Sequence, residues 1–469
     1  MIDSAKLAEA LRELLSDSGD QVSVSSEVLT EHSTDKWFAA NQPDVVVFAE
    51  STDDVSRILS YANDQQVPVT TRGAGVGYVG GCVPAHGGIS LSVARMNQIK
   101  AIDPRDWVAV VEPGVITGDL QAAARDKGCF YPPDPASLKE CSIGGNIATN
   151  AGGPRCLKYG VTRPYVLGLE VVLADGQILR TGGRLHKNKQ GFDLIGSFVG
   201  SEGLLGVVTE ATLRLIPNPR SRAMLSASFD EFPVVADAVQ AVLESGVLPA
   251  AIEISDPFTL KAARDHVGEG IPDGGGHLLV ELDGTKAAVA SDIEMLGKVV
   301  RDLGCASLEV ATTEEGCEKI WDIRRAFSYS LKATGLTKLN QDVVVPRSRL
   351  VDLVEYAADL QARSGIAMAC FGHAGDGNIH VNLMVDGIDD PERRAHADQT
   401  QDELFRQILS WGGAVTGEHG VGIARMPWFA DAVGPVSVDV HRRLKAALDP
   451  NGILNPGKFL DSWSNQSHP

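Results

Sequence analysis

The chain of 469 residues is long enough for two or three domains, each with a sizeable core. Its 61 acidic and 42 basic side chains give a formal charge of −19, which argues against a nucleic-acid partner, because phosphate binding needs a basic surface. The hydrophobic share of 43% and charged share of 22% fit a soluble globular enzyme, and a few cations in a pocket still leave room for a small anionic substrate.

Seven cysteines (Cys82, Cys129, Cys141, Cys156, Cys305, Cys317 and Cys370) are scattered without a C-x-x-C pair. That pattern argues against a disulfide framework, a Cys-rich zinc site or an iron–sulfur cluster, and fits reduced cytosol. The start, Met1-Ile2-Asp3-Ser4-Ala5-Lys6, has no cationic region followed by an apolar one, and reads as an acidic amphipathic helix with Leu7, Leu11, Leu14 and Leu15 on one face. No apolar run approaches the ~20 residues that span a bilayer. The expected location is the cytoplasm, with room for peripheral membrane contact through a partner.

Val45–Phe48 reads as a strand, and Ser51-Thr52-Asp53-Asp54 caps a helix with Val55, Ile58 and Leu59 on one face. A strand at 67–70 leads into the loop Arg72-Gly73-Ala74-Gly75-Val76-Gly77-Tyr78-Val79-Gly80-Gly81. Residues 169–173 and 178–181 flank Asp175-Gly176 as a β-hairpin. A strand-like stretch, 205–216, ends at Pro217-Asn218-Pro219, the best domain boundary in the chain. Beyond it, candidate strands at 224–229, 251–255, 277–282 and 308–311 alternate with helical stretches such as 287–303 and 351–363, which suggests an α+β domain on an antiparallel sheet. The turn-rich tail at 448–458 is expected to return to the first domain, so the expected domains are 1–220, 221–425 and a returning segment 426–469. No internal repeat or low-complexity tract is visible.

Gly75-Val76-Gly77-Tyr78-Val79-Gly80 matches G-x-G-x-x-G, a fingerprint that requires a following helix to receive pyrophosphate. Here Gly81-Cys82-Val83-Pro84-Ala85-His86-Gly87-Gly88 follows, which cannot be a regular helix, and the acidic residue ~20 positions on is missing. Helix-type dinucleotide binding is rejected, yet successive N–H groups of such a loop can still form a nest for an anion. Residues 142–153 have the same character and add Asn146, Thr149 and Asn150, while Gly200-Ser201-Glu202-Gly203 is a third glycine stretch. One glycine loop is usually a turn; three in one domain point to a cofactor.

Two later stretches carry chemistry: Phe371-Gly372-His373-Ala374-Gly375-Asp376-Gly377-Asn378-Ile379-His380-Val381-Asn382 and Thr416-Gly417-Glu418-His419-Gly420. His380 and Asn382 are two apart in a β-like run and share a face, while the turn at Gly375-Asp376-Gly377 can fold His373 back toward His380. If the second stretch folds beside the first, His373, His380 and Glu418 supply two imidazoles and a carboxylate for a divalent metal with open positions. His419 is then a spare imidazole suited to act as general base. The plain alternative is a hairpin turn with incidental histidines, and the two readings are compatible. Glu418 alone would be a surface carboxylate, and Asp376 is a turn residue or an acceptor for a ligating imidazole. His32, His86, His186, His277 and His468 lack such a context and read as ordinary polar histidines.

Arg72 to Gly81, Pro132-Pro133-Asp134-Pro135, residues 144–153, 167–176 and 200–209 together resemble the FAD-binding domain of the vanillyl-alcohol oxidase/p-cresol methylhydroxylase (PCMH) flavoproteins. Asp342-Val343-Val344-Val345-Pro346 and the two histidine stretches resemble its branch of FAD-linked D-2-hydroxyacid dehydrogenases, which includes glycolate oxidase-like, D-lactate and D-2-hydroxyglutarate dehydrogenases. The resemblance runs from about residue 40 to 460. It implies an α+β fold: a two-part PCMH-type FAD-binding domain plus a cap with an antiparallel, ferredoxin-like sheet and helices.

It further implies non-covalent FAD, since family members with covalent attachment here carry a histidine in the pyrophosphate loop. The implied pyrophosphate contacts are Arg72, Gly73, Ala74, Gly75, Val76, Gly77, Gly80 and Gly81. Further implied contacts are Pro133, Asp134, Ser137 and Ser142, then Gly144, Gly145, Asn146, Thr149, Asn150, Gly152 and Gly153 toward the isoalloxazine. Glu202, Val207, Val208 and Asn455 complete the set. Val76 and Val79 depart from the family, which often has a hydroxyl residue and a small residue there, so phosphate affinity would rest more on backbone N–H groups.

The family's reaction oxidises a small D-2-hydroxy acid (D-lactate, glycolate or D-2-hydroxyglutarate class) to the 2-oxo acid, with hydride to flavin N5. In that reading Arg324 and Lys338 align with cations that bind the carboxylate, Asn382 is a further substrate residue, and His373, His380 and Glu418 hold zinc or manganese. His419 takes the hydroxyl proton. Arg325 reads as a solvated helix charge. Electrons must leave to an external acceptor: a quinone, a cytochrome, an electron-transfer flavoprotein or an iron–sulfur subunit. There is room for a homodimer. The alternatives are an FAD-binding subunit of a multi-subunit glycolate oxidase-type complex, whose silent form need not keep the histidine cluster, and an alkylglycerone-phosphate synthase-like flavoenzyme, whose apolar tunnel leaves no clear trace in this sequence.

Overall fold

The computed structural model describes residues 3–16 and 20–460, so His468 lies outside it. The chain divides into two compact units: residues 1–152, 161–218 and 418–469 form one, and residues 153–160 and 219–417 the other. These units divide at Asn218/Pro219 and at Gly417/Glu418.

Among the described residues the first unit has two main sheets, besides a two-stranded pairing of Ile216–Pro217 with Cys129–Phe130. In the smaller, Val45–Phe48 and Val69–Arg72 run parallel to Ile89–Ser92 between them, and Val22–Ser23 pairs antiparallel with Val45–Phe48. Helix Thr52–Gln65 starts where the Ser51 hydroxyl accepts the Asp54 N–H, ends at Gln66 in the left-handed region, and buries Val55, Ile58, Leu59 and Ala62. Helix Ser4–Leu15 turns Leu7, Leu11 and Leu15 into the same core, where each fully buried aliphatic side chain stabilises by about 1.5–3 kcal/mol. The second sheet is antiparallel, in the order Ile99–Asp103, Val108–Val111, Val207–Arg214, Val166–Val172, Ile178–Gly182. It includes the expected hairpin about Asp175-Gly176, and it places Val207 and Val208 opposite Val172 and Val171.

Tail residues make contacts within this unit. Leu454 bridges Val69 in parallel, the buried Lys458 ammonium donates to the Val83 carbonyl, and Lys445 donates to the Leu204 and Leu454 carbonyls. The 142–153 stretch departs from the loop expected. Ile143–Thr149 is a short helix capped by the Ser142 hydroxyl, because Gly144 and Gly145 tolerate close packing there; a Cβ on Gly144 would lie 2.7 Å from Pro113.

The second unit is built on a seven-stranded sheet, antiparallel throughout, with a repeat that the sequence conceals. Its first half, Ser221–Phe229, Ala251–Ser255, Gly276–Gly284 and Ser307–Ala311, lies in the spatial order fourth, first, third, second. With helices Phe232–Glu244 and Lys286–Asp302 after the first and third strands, this is the ferredoxin-like arrangement. The second half repeats it. Thr337–Val344, Ala367–His373 and Asn378–Val385 lie in the order second, third, first, with helices Leu350–Ser364 and Pro391–Ser410 in the same chain positions. Its fourth strand has shrunk to one bridge, Ala414 on Val344. The halves join through their second strands, where Glu253 stands opposite His373.

Candidate functional site

In the first unit, the glycine loop after Val69–Arg72 is held from within. The Arg72 guanidinium donates to the Thr34 carbonyl at 2.7 Å and contacts Cys82 Sγ at 3.3 Å, so this predicted cofactor residue also ties the loop together. Gly75 (φ +70°) admits no side chain, since a Cβ would sit 2.2 Å from the Arg72 guanidinium. Gly80 donates its N–H to Asp35, a carboxylate that sequence reasoning missed and whose pKa burial raises. That N–H is therefore engaged inside the protein. Val79 is buried, its carbonyl accepts the Ile423 and Ala424 N–H groups, and its apolar side chain lies against Gly422.

Beside this loop lies a groove of ≈ 650 Å³, lined by Gly73, Ala74 and Ser142 together with Asn97, Gly114 and Ile116. Only the first three were expected. The polar side chains of the 142–153 stretch are engaged locally: Asn146 donates to Thr117, Thr149 to the Gly145 carbonyl, and Asn150 accepts the Arg163 N–H. Pro133 lends its carbonyl to Gln121, and Asn455 donates to the Gly81 and Glu202 carbonyls. A cradle of backbone with few side-chain donors fits a large phosphate-bearing cofactor held through N–H groups.

The second unit carries the histidines. Phe371 pairs with His380 and His373 with Asn378, so the hairpin register puts the two imidazoles on one face, with ring centres 5.5 Å apart. Gly377, at φ +84°, makes the turn, and a Cβ there would meet the Val345 carbonyl at 2.2 Å. Two buried carboxylates flank the pair. Glu253 takes the His373 Nδ1–H at 2.6 Å, which leaves Nε2 as the nitrogen bearing the lone pair. Burial alone would raise the Glu253 carboxyl, but His373 and Arg324 outweigh it and hold its pKa at about 2. Asp342 stands 3.9 Å from His380 Nδ1 and accepts from the Asn378 amide, the Thr416 hydroxyl and the Gly417 N–H.

Gly417 is peptide-bonded to Glu418, so Asp342 fixes the point from which that carboxylate starts. His373 and His380 are two of the three expected ligands, and the third, Glu418, is the residue after Gly417. Two imidazoles and a carboxylate are a donor set suited to zinc or manganese. In the first unit, the Glu418 carboxylate lies 3.8 Å from His419 Nε2, and the His419 ring packs on Tyr78 at 5.3 Å. The half-buried Glu202 carboxylate accepts the Val421 and Gly422 N–H groups and so braces this loop.

Of the expected substrate residues, Arg324 donates to Glu253 and lies over the Phe371 ring. Lys338 donates to Ser328, and burial together with Lys332 and Arg324 lowers its pKa to about 8. Asn382 is fully buried, bonded to Asn340 and to the Ala369 and His380 carbonyls, so its amide ties strands together. Arg325 is an exposed partner of Glu318 and Asp322. A hollow of ≈ 500 Å³ lined by Tyr356, Glu403 and Arg406 contains none of these residues.

Residues 218–459 match the family model described as FAD linked oxidases, C-terminal domain, and residues 43–182 match one described as FAD binding domain. The chain is 41% identical over 421 residues to the glycolate oxidase subunit GlcD of Bacillus subtilis (strain 168), covering 90% of this chain and 89% of that protein. It is 33% identical over 449 residues to the D-lactate dehydrogenase of Anaerostipes hadrus, covering 94% of each. Among solved structures, p-cresol methylhydroxylase superposes with a TM-score of 0.80 at 22% identity over 99% of this chain and 98% of that one. Alkyldihydroxyacetonephosphate synthase does so with 0.74 at 19% identity, over 96% and 84%. Both of these show a shared fold.

Proposed function

The chain belongs to the FAD-linked oxidase family, and from that premise we propose that it oxidises a small D-2-hydroxy acid to the 2-oxo acid with the help of a divalent metal. The observation that carries this reading is the His373–His380 pair, each imidazole beside a buried carboxylate, in a chain whose relatives are named for glycolate and D-lactate. When bound, FAD without a covalent link accepts two electrons as hydride, and a zinc or manganese ion on His373, His380 and Glu418 acidifies the substrate hydroxyl.

The chain's own side chains supply the rest. Arg324 and Lys338 hold the carboxylate, one as a planar fork and one as a point charge. Glu253 keeps the His373 imidazole oriented, and Asp342 places a negative charge beside His380. His419 accepts the hydroxyl proton as the Cα hydride leaves, a role worth about 10²–10⁴-fold in rate. The two electrons then pass to an external acceptor: a quinone, a cytochrome, an electron-transfer flavoprotein or an iron–sulfur subunit. The word "subunit" in the relatives' names supports an assembly with such a partner. Among the described residues, no helix is long and apolar enough to cross a membrane.

The alkyldihydroxyacetonephosphate synthase likeness is one of fold at 19% identity, so the oxidative reading has the stronger support. Anaerobic mixing with D-lactate, glycolate, D-2-hydroxyglutarate and their L-isomers tests it. Flavin absorbance near 450 nm is expected to bleach with one of the first three, and bleaching by L-isomers alone would overturn the stereochemistry.

A further inference from the structure

Glu253 sits in mid-strand at 1% exposure, and its two oxygens serve different partners. Oε1 accepts from His373 Nδ1 at 2.6 Å, and Oε2 accepts from Arg324 Nε at 2.5 Å. The Arg324 guanidinium lies 4.7 Å from the Phe371 ring centre, and Phe371 packs on His380 at 5.4 Å. With the two imidazoles 5.5 Å apart, the contacts close a ring through one cation, one carboxylate, one phenyl ring and both histidines.

A buried ion pair alone is a poor source of stability, because desolvation consumes most of its Coulomb energy. Its usefulness here is geometric. A carboxylate fixed at both oxygens cannot move toward one partner without loosening from the other, so the orientation of Arg324 and that of His373 are tied together. We propose that Glu253 is a positioning residue that couples the substrate-carboxylate clamp to the metal site, so that acid binding and metal binding strengthen one another. The coupling is reciprocal by thermodynamic necessity. It rests on the reading above, in which Arg324 meets the acid and His373 the metal.

The test is a zinc titration against a chromogenic chelator, followed by steady-state kinetics with the acid that bleaches the flavin, on the FAD-loaded protein. Glu253→Gln is expected to weaken zinc binding about 10–100-fold. At saturating zinc it should also keep a KM raised about tenfold, because Arg324 has lost its anchor. A Glu253→Gln protein that binds zinc like the parent, or whose KM returns to the parent value at saturating zinc, overturns the coupling. If Glu253→Gln does not retain FAD, Arg324→Lys decides. That variant keeps the charge but not the planar donor, and about threefold or greater loss of zinc affinity is expected although Arg324 is no ligand. Unchanged zinc affinity in Arg324→Lys overturns the coupling alone. A parent protein that takes up neither zinc nor manganese removes the metal reading and the coupling with it.

Discussion

The two halves of the cap sheet share one chain path and differ in what their histidines face. In the complete half, His277 is fully buried with the Ser226 hydroxyl as partner, and burial lowers its pKa to about 4. In the reduced half, His373 and His380 each stand beside a buried carboxylate. The same residue type is therefore a neutral core group in one half and an oriented donor in the other. The neighbour decides: a hydroxyl only satisfies an imidazole, whereas the Glu253 carboxylate fixes the His373 tautomer. The halves also differ at their fourth position. Ser307–Ala311 is a full strand in one, and in the other a single bridge at Ala414 releases the chain so that Thr416 and Gly417 reach Asp342.

The largest effect expected from breaking this contrast is His380→Ala. On the proposed function, loss of this imidazole should abolish tight metal uptake and lower kcat/KM about 10³-fold, since Lewis-acid assistance is worth several kcal/mol. Metal analysis and kinetics on protein with full FAD content check it. Asp342→Asn should weaken metal binding about 10–100-fold, because it disturbs both the His380 strand and the loop that leads to Glu418.

Lys338 gives a pH signature of smaller size. It is charged below about pH 8, so the KM for the acid should rise several-fold as pH increases through 8. Lys338→Arg should flatten that rise, because guanidinium stays charged.

The smallest effect on turnover is expected in the silent half. His277→Phe should leave kcat/KM within about twofold and alter only acid stability. Because the folded protein holds this imidazole below its usual 6.5, at about 4, its contribution is fully present above pH 6.5 and is lost as pH falls toward 4. Parent protein should lose roughly 2–3 kcal/mol from this group between pH 7 and 4.5, and the variant should not. Urea unfolding at the two pH values checks it.

Much of this was legible in the residues. The Asp376-Gly377 turn and the β-spacing of His380 foretold a hairpin. The carboxylates behind the histidines were not legible as partners. Glu253 comes from a strand more than a hundred residues upstream, and Asp342 from one on the other side of His380, so only strand pairing brings them in. A signal did exist for Glu253, since a lone carboxylate inside the apolar run Ala251–Ser255 must find a cation or pay heavily for burial. The repeat in the cap was hidden for a similar reason: it lies in strand order, while the side chains of the two halves have diverged to different tasks.

Residues 153–160 carry a further consequence. They belong to the cap unit, although the chain on either side belongs to the first unit, so the covalent path crosses the division four times, at 152, 160, 218 and 417. Arg155 grips the buried Glu281, Lys158 and Tyr159 hold Asp283, and Leu157 fills the space over Gly375, in the turn between His373 and His380. A fragment cut from 219 to 417 would therefore not be a whole domain. It would expose the socket of a missing clasp and would lack the side chain that backs the histidine turn, so the cap is separable on paper but not by scissors.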